Sequence, residues 1–573
     1  MSESFKLFKD PVYGYVRVPE RWVSCIVDTP AFQRLRRISQ TSYAPLFPSA
    51  THNRFVHSLG VFHLGTLAAK AVSATLDSYC RSDGERVTYD TYVETFRLAC
   101  LLHDIGHAPF SHTGEGFYKD KDGTLRVLHE RLSQCVAHEG FQEYCQKHAN
   151  AAAPHEVMSA IIGLSTFPQY FQDSSGSASD EHREFFARAI TGYCYDYADS
   201  SERTSDGAKL EFLNCLIKLL NSSIIDVDRL DYLIRDAFQT GYKTLSIDHE
   251  RLLGGISLRR VKGVLDVVYT KQAISVLENV VYAHDAERKW VQSHPSIIYE
   301  MDVLKHAIRI INSRFAPEGN LFCEDSLTEK GYRLNNGLYI RYFSDDDIAF
   351  LLKNACDPHI DQYLDRRARF RPLWKSEVEY NALFGPVALT NEQREDLSTF
   401  VRHLAALLAK TSLPRINGDV RNELHDELAG FQKKVDEEAD DTRRERFQAS
   451  LDVARIDADF ADQIEQLAAV HHVKFDFVFH AAQSFASGFG KSALRNLPIL
   501  LDVATDPICF CRLTKLLNQE GDDGASVPFY VFCERLPDAK SRVSAALAFS
   551  KMMKEFVEKH KTVIQRLSRK LIR

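Results

Sequence analysis

The stretch Leu101–His112, LLHDIGHAPFSH, limits what this chain can fold into more than any other. An apolar helical pattern runs up to it and ends in two adjacent ionisable residues, His103 and Asp104. Packing the apolar face buries both side chains, and a buried His beside a buried Asp needs a charge partner or a metal. His107 follows four residues after His103, so on a continuing helix the two share a face. Imidazole with carboxylate is a donor set suited to Zn, Mn or Fe. A lone His–Asp pair is also what an ordinary buried ion pair looks like, so other segments have to decide.

Two others bear on it. His52–Gly60, HNRFVHSLG, opens a helical segment and sets Arg54 and His57 on neighbouring positions of one face. Asp226–Asp236, DVDRLDYLIRD, places Asp228, Tyr232, Arg235 and Asp236 on one stripe of a helix. That stripe is polar where a core helix would be apolar, while Val227, Leu230 and Leu233 supply the packing. Each segment alone could equally be a salt-bridged surface helix.

The rest of the chain narrows the class. With 573 residues, a prior of about three or four structural units holds. Hydrophobic residues at 45 % and charged residues at 26 % are ordinary for a globular protein, which excludes disordered, collagen-like and coiled-coil readings of the whole chain. A net charge of −7 argues against a global polyanion-binding surface but leaves room for a local basic site. No apolar run is expected to reach the roughly 18–20 residues of a membrane span, and the N-terminus shows no apolar signal region. The twelve cysteines hold no CxxC pair, so they read as reduced thiols of a cytoplasmic protein.

Helical spacing of apolar residues predicts helices over 56–76, 91–106, 210–220, 226–238, 271–283 and 300–313. Strand-like runs are short: 264–269, 474–480 and 528–533. Residues 172–183 read as a polar loop, and 415–448 as an exposed helix with mixed i,i+4 pairs. The last 23 residues carry a net charge of +6 and read as a solvated amphipathic helix, with contact to a neighbouring subunit or a polyphosphate as the alternative. The expected fold is mainly α: a helical core over 1–315, a charged helical middle over 316–450, and a smaller α+β lobe over 451–573.

The three polar segments, taken with their surroundings, resemble the HD-domain phosphohydrolases. The branch they match hydrolyses a deoxynucleoside triphosphate to deoxynucleoside and inorganic triphosphate, and includes dGTPase-like enzymes. The matching blocks are Asp10-Pro11 with Gly14, DTPAFQRLRRISQ at Asp28–Gln40, FPSATHNRFVHSLG at Phe47–Gly60, LLHDIGHAPFSH, HEVMSA at His155–Ala160 and IDVDRLDYLIRDA at Ile225–Ala237. They follow the family's order from about residue 5 to 313. No sterile-alpha-motif domain is expected ahead of this core, because the DPVYG block begins at residue 10.

The resemblance implies His57, His103, Asp104 and Asp228 as ligands of one divalent or transition metal ion, Mn, Fe, Mg or Zn. It implies water attack at the α-phosphorus, with His155 as the acid for the leaving 5′-oxygen. His107 and Glu115 match a supporting pair, although the family carries Asp where this chain has Glu115, and His112 beside them is placed among the substrate-binding residues. Arg54, Arg229 and Arg288 match phosphate-binding positions. Tyr232, Asp236 and Gln40 match contacts to the deoxyribose, where a close-packed Tyr would exclude a 2′-hydroxyl. Lys6, Asp28, Gln33 and Arg36 match positions that hold an activating nucleotide. For Asp28 the alternative is a capping carboxylate, and for the Arg34, Arg36 and Arg37 cluster it is a solvated face.

The family's habit of assembling as dimers, tetramers or hexamers implies a homo-oligomer with dNTP as substrate, no membrane and no obligatory nucleic acid. A preference for dGTP and a part in dNTP depletion during phage infection are further implications of the likeness. Two other readings stay open: an HD phosphodiesterase acting on cyclic or oligomeric nucleotides or nucleic acid, and a nucleotide sensor without catalysis.

Overall fold

A computed structural model describes residues 4–42, 44–76, 83–120, 122–147, 152–171, 179–196, 205–222, 225–242, 246–387, 389–410, 418–476, 496–502, 506–514 and 529–571. Helices dominate, and the sheets are small. The chain separates into two compact units that are not consecutive in sequence. The first comprises Met1–Val291, Ile308–Ala355 and Ser487–Glu520; the second comprises Gln292–Ala307, Cys356–Ala486 and Gly521–Arg573. This is a different partition from three consecutive segments.

The first unit opens with an antiparallel hairpin, β1 (Phe5–Asp10) and β2 (Gly14–Pro19). Its main helices are α1 (Arg54–Leu76), α2 (Asp83–Leu102), α3 (Pro154–Thr166), α4 (Asp180–Thr191), α5 (Ser205–Leu220), α6 (Val227–Thr240) and α7 (Ile274–Glu287). α1 packs against α2 and α6. By length and composition α1 could cross a membrane, against the expectation that no run reaches that size. Here it is a core helix, with Phe55, Leu59, Phe62 and Leu64 buried and a histidine, His57, buried among them.

Local chemistry sets the helix ends. Asp226 accepts from the Arg229 amide and caps α6, which stops at Gly241 in the left-handed region (φ 69°). Pro154 occupies the first turn of α3, and the Glu156 carboxylate accepts the Ala153 amide at 2.7 Å. α4 starts at Asp180 behind a Ser179 cap, so the end of the expected 172–183 loop is helical; 172–178 lie outside the described residues.

A four-stranded sheet holds β3 (Ile256–Val261) and β4 (Val264–Thr270), then Pro498–Leu500 and Ile508–Cys509. Pro498–Leu500 lies parallel to β4, with Tyr269 opposite Ile499. That short piece, expected in a C-terminal lobe, belongs to the first unit. Sequence separation says nothing about which strand edge a segment will fill.

The second unit is a helical bundle built on Asn391–Lys410, Gly418–Glu437, Asp441–His471 and Ala539–Leu571. Its core gathers Trp374, Phe400, Phe460, Phe549 and Phe556. The charged run from 418 to 448 forms two helices rather than one, because Asp440 caps a new start. Of the expected strand 474–480, Phe475–Asp476 forms, and 477–480 lie outside the described residues. Cations of the last helix pair with acids, among them Lys559 with Asp459 and Lys561 with Glu392. The eleven described cysteines are free thiols.

Candidate metal centre and active site

α2 ends at Leu102, one residue short of His103, so His103 and His107 do not share a helix face as a continuing helix would have it. The chain instead makes a tight turn, with the Ile105 amide bonded to the Leu102 carbonyl and the His107 amide to that of Asp104. Gly106 lets this turn lie against α3. A Cβ there would meet the Ser159 nitrogen at 2.3 Å, and the Gly106 amide donates to Ser159 Oγ at 2.9 Å. Arg34, for which a solvated face is the alternative to a basic nucleotide-binding cluster, is buried and clasps the turn: it donates to the carbonyls of Ile105 (2.8 Å), His107 (2.9 Å) and Phe343 (2.9 Å). Arg36 and Arg37 are exposed.

Four side chains from three segments then converge. His57 Nε2 lies 3.3 Å from His103 Nε2, 2.9 Å from Asp228 Oδ1 and 3.6 Å from Asp104 Oδ2. His103 Nε2 is 3.4 Å from Asp104 Oδ1 and 3.6 Å from Asp228 Oδ1. The far nitrogens are already committed: His57 Nδ1 to Asp231 Oδ2 at 2.7 Å, and His103 Nδ1 to the Cys100 carbonyl at 3.0 Å. Such outer bonds orient imidazoles toward a metal. Two Nε2 atoms facing each other at 3.3 Å need a cation between them, a proton or a metal.

The electrostatics agree with a cation. Burial works against charge on His57, but its bonds to Asp228 and Asp231 and the nearby Asp104 carboxylate outweigh that and raise its pKa to about 10. Burial likewise favours neutral Asp104, yet Arg54, His103 and His57 bring it down to about 2. The Asp228 carboxyl is held low by His103 and His57 against its burial. A mixed nitrogen and carboxylate set in an environment that favours positive charge fits a divalent metal.

A second cluster abuts the first. Glu115 Oε1 is 3.2 Å from His107 Nδ1, 2.9 Å from His112 Nδ1 and 3.1 Å from His155 Nδ1. His107 Nε2 lies 3.5 Å from Asp104 Oδ1, which links the clusters. Burial, reinforced by Arg54 and the surrounding histidines, pushes the His107 pKa well below its ordinary value. Burial acts the same way on His155, but the Glu115 charge and bond reverse it and raise its pKa to about 9. The two histidines are thus shifted in opposite directions, His107 toward its neutral form and His155 toward its protonated form.

The loop joining the clusters is strained. Phe110 and Ser111 both take positive φ, 58° and 50°, a conformation that persists only when surroundings enforce it. Asp345 enforces it, accepting the Phe110 amide at 2.6 Å and the Ser39 amide at 2.8 Å. Ser111 Oγ donates to the Ser39 carbonyl at 2.6 Å. Nothing in the local sequence around Asp345 signals this role.

The remaining expected residues fall as follows. Arg54 is buried and its guanidinium reaches Ser111 Oγ (2.8 Å), Asp104 Oδ2 (2.8 Å) and the Gln40 carbonyl (3.2 Å). Gln40 is buried beside it, with no hydrogen-bond partner for its Oε1 among the described residues. The Asp236 carboxylate accepts from His52 Nε2 at 2.7 Å. Arg229 and Tyr232 interact on α6, and the Glu287 charge at the end of α7 acts on Tyr232. Arg288 follows in a π-helical turn, Arg288–Gln292. The expected polar stripe of α6 divides: Arg235 turns to Asp231 and Asp10, away from the pair made by Asp236 and His52.

Gln33, Arg36 and Lys6 gather outside this site near Phe8 and Phe55. Arg36 donates to Gln33 Oε1 at 2.8 Å and lies 3.5 Å over the Phe55 ring, while Lys6 lies 5.4 Å over Phe8. Asp28 is exposed and its charge acts on Arg36. Asp231 was missed as a site residue, although its spacing from Asp228 puts it on the same helix face.

The HD domain family matches residues 54–159, from the start of α1 into α3. Residues 54–159 thus match an HD domain, and the two His/carboxylate clusters could each hold a metal ion. Over 411 residues it is 27 % identical to an uncharacterized protein, YwfO, of Bacillus subtilis, covering 69 % of this chain and 78 % of that one. It is homologous over a shorter stretch to deoxynucleoside triphosphate triphosphohydrolases: 35 % identical over 134 residues to the SAMHD1 homolog of Dictyostelium discoideum and 38 % over 112 residues to SAMHD1 of Mus musculus. Those matches cover 23 % and 19 % of this chain, and span 24 % and 16 % of the two enzymes.

Proposed function

We propose that the protein is a metal-dependent dNTP triphosphohydrolase, converting dNTP and water to deoxynucleoside and inorganic triphosphate. The observation that carries this is the joining of the two clusters through Asp104, with His57 and His103 on one side and His107, Glu115 and His155 on the other. The partial similarity to triphosphohydrolases supports the substrate class.

His57, His103, Asp104 and Asp228 would hold the metal. When bound, a divalent cation supplies Lewis-acid polarisation of a phosphoryl oxygen. With its pKa raised to about 9 and Nδ1 3.1 Å from Glu115 Oε1, His155 is assigned as the acid that protonates the leaving 5′-oxygen. A positioned acid of this kind contributes about 10²–10⁴-fold. His107 stacks against His155 and, with its pKa pushed down, leaves the acid role to it. Arg54 fixes the Asp104 carboxylate while Arg229 and Arg288 supply charge for the triphosphate. Tyr232, Asp236 and Gln40, whose Oε1 has no hydrogen-bond partner among the described residues, are assigned to the sugar.

Nucleotide activation through Lys6, Asp28, Gln33 and Arg36, assembly as a homo-oligomer and any preference for dGTP belong to the same proposal. The test is incubation with Mn²⁺ and each dNTP, singly and in pairs, with product chromatography. Triphosphate release supports the reading. Mononucleotide release from an oligomer would make the protein a phosphodiesterase, and binding without turnover a sensor. Activation by a second nucleotide should be blunted by Arg36→Ala.

A further inference from the structure

The turn of the N-terminal hairpin reaches the back of the metal centre through a closed set of hydrogen bonds. Asp231, on α6, is fully buried and uses both carboxylate oxygens twice. Its Oδ2 takes His57 Nδ1 at 2.7 Å and Arg235 Nε at 2.9 Å. Its Oδ1 takes the Tyr13 hydroxyl at 2.7 Å and Arg235 Nη2 at 2.9 Å. Arg235, also fully buried, continues to Asp10 Oδ2 at 2.9 Å. Asp10 in turn folds the hairpin turn on itself, its Oδ1 accepting the Val12 amide at 2.8 Å and the Tyr13 amide at 3.0 Å.

The packing leaves no slack for this set. A Cβ at Gly60 on α1 would lie 1.9 Å from Asp231 Oδ1 and 2.4 Å from Arg235 Nη2. The glycine is what lets the Asp231–Arg235 pair lie against the helix that carries His57. A bidentate Arg–carboxylate pair fixes the carboxylate plane, and a carboxylate on the outer nitrogen of a ligating His sets that ring's tautomer and direction. Outer Asp231 bonds therefore translate into the aim of His57 Nε2.

We propose that Asp231, Tyr13 and Asp10 are positioning residues for the metal ligand His57, so that the hairpin turn at residues 10–13 sets how tightly the site binds its metal. The inference rests on the metal reading of the His57 cluster. It concerns no step of the reaction, and it assigns to Tyr13 an effect felt through two hydrogen bonds and to Asp10 one felt through three, with no contact with metal or substrate.

The experiment uses the full chain with Mn²⁺ alone, titrated by electron paramagnetic resonance of free Mn²⁺, and Co²⁺ absorption as a report on ligand geometry. Asp231→Asn should weaken Mn²⁺ binding by about 10–100-fold, the usual effect of losing an outer-shell partner. Tyr13→Phe, which deletes only the hydroxyl, should weaken it less but in the same direction and alter the Co²⁺ spectrum. Asp231→Asn leaves Arg235 short of charge and could unfold the chain, in which case Tyr13→Phe and Asp10→Asn decide. Folded Tyr13→Phe and Asp10→Asn proteins with wild-type Mn²⁺ affinity and an unaltered Co²⁺ spectrum would overturn the inference. His57→Ala is run in parallel. If wild-type protein binds no Mn²⁺, or His57→Ala binds it unchanged, the metal reading itself fails and takes this inference with it.

Discussion

His107 and His155 stack ring on ring, with centroids 4.2 Å apart and planes 11° from parallel, yet their surroundings shift their pKa values in opposite directions. Burial, with Arg54 and the neighbouring histidines, pushes His107 down, while Glu115 overcomes burial and pushes His155 up to about 9. Two titratable groups pushed apart in this way mark separate roles at an active site.

The pH profile follows from that pair. His155 has a pKa raised to about 9, so as an acid it works below that value and fails as pH rises through it. The rate of dNTP hydrolysis should fall on the alkaline side with an apparent pKa near 9, and His155→Gln should lose most of the rate along with that limb. The linked stability has the same sign: it is full below the unfolded value of about 6.5 and disappears as pH rises through about 9. A rate limb near 6.5 in the wild type would mean that His155 is not the acid.

Metal loss should follow removal of two donors. The double variant His103→Ala/Asp104→Ala should lose both bound transition metal, measured by elemental analysis of purified protein, and turnover. Stoichiometric metal in that variant would contradict the ligand assignment.

Sugar discrimination should depend on Tyr232. Hydrolysis of a dNTP should exceed that of the matching NTP, and Tyr232→Ala should narrow the ratio by admitting a 2′-hydroxyl. A fall in rate with the ratio unchanged removes Tyr232 from that role.

Gly60→Ala should be far more damaging than a Gly→Ala change inside a helix ordinarily is. The new Cβ would stand 1.9 Å from Asp231 Oδ1, so the Asp231–Arg235 pair must part. Breaking a buried ion pair costs about 3–5 kcal/mol, against a gain of about 1 kcal/mol in helix propensity. Thermal unfolding should show a large loss; a midpoint at or above wild type would refute the packing.

Asp345→Ala should destabilise the strained Phe110–Ser111 loop. It strips two part-buried amides, Ser39 and Phe110, of their acceptor, each at a cost of up to about 1–3 kcal/mol. Urea unfolding should show a loss of about 2–4 kcal/mol, and the variant should turn over dNTP more slowly even where it is folded. Unaltered unfolding and unaltered rate would leave Asp345 without the role.

The helices around the site were legible in the sequence because apolar spacing reports directly on which face is buried. The runs at 56–76, 226–238 and 271–283 correspond to α1, α6 and α7 within a few residues. The clustered His57, His103 and Asp104 stood out in the sequence for a related reason. A His or Asp inside an apolar pattern contradicts its surroundings, and His57, His103 and Asp104 do so within short stretches. What the sequence alone could not decide was pairing across the fold. Asp345 and Phe110 stand 235 residues apart, and Tyr13 and Asp231 are 218 apart. A carboxylate at either position looks like any surface acid until packing removes its water. The same limit hid the turn at His103–Gly106, where the close approach of Gly106 to α3, rather than any local propensity, ends the helix and brings His107 to His155. Sequence determines which residues must be buried; only the tertiary structure decides which buried charge each of them meets.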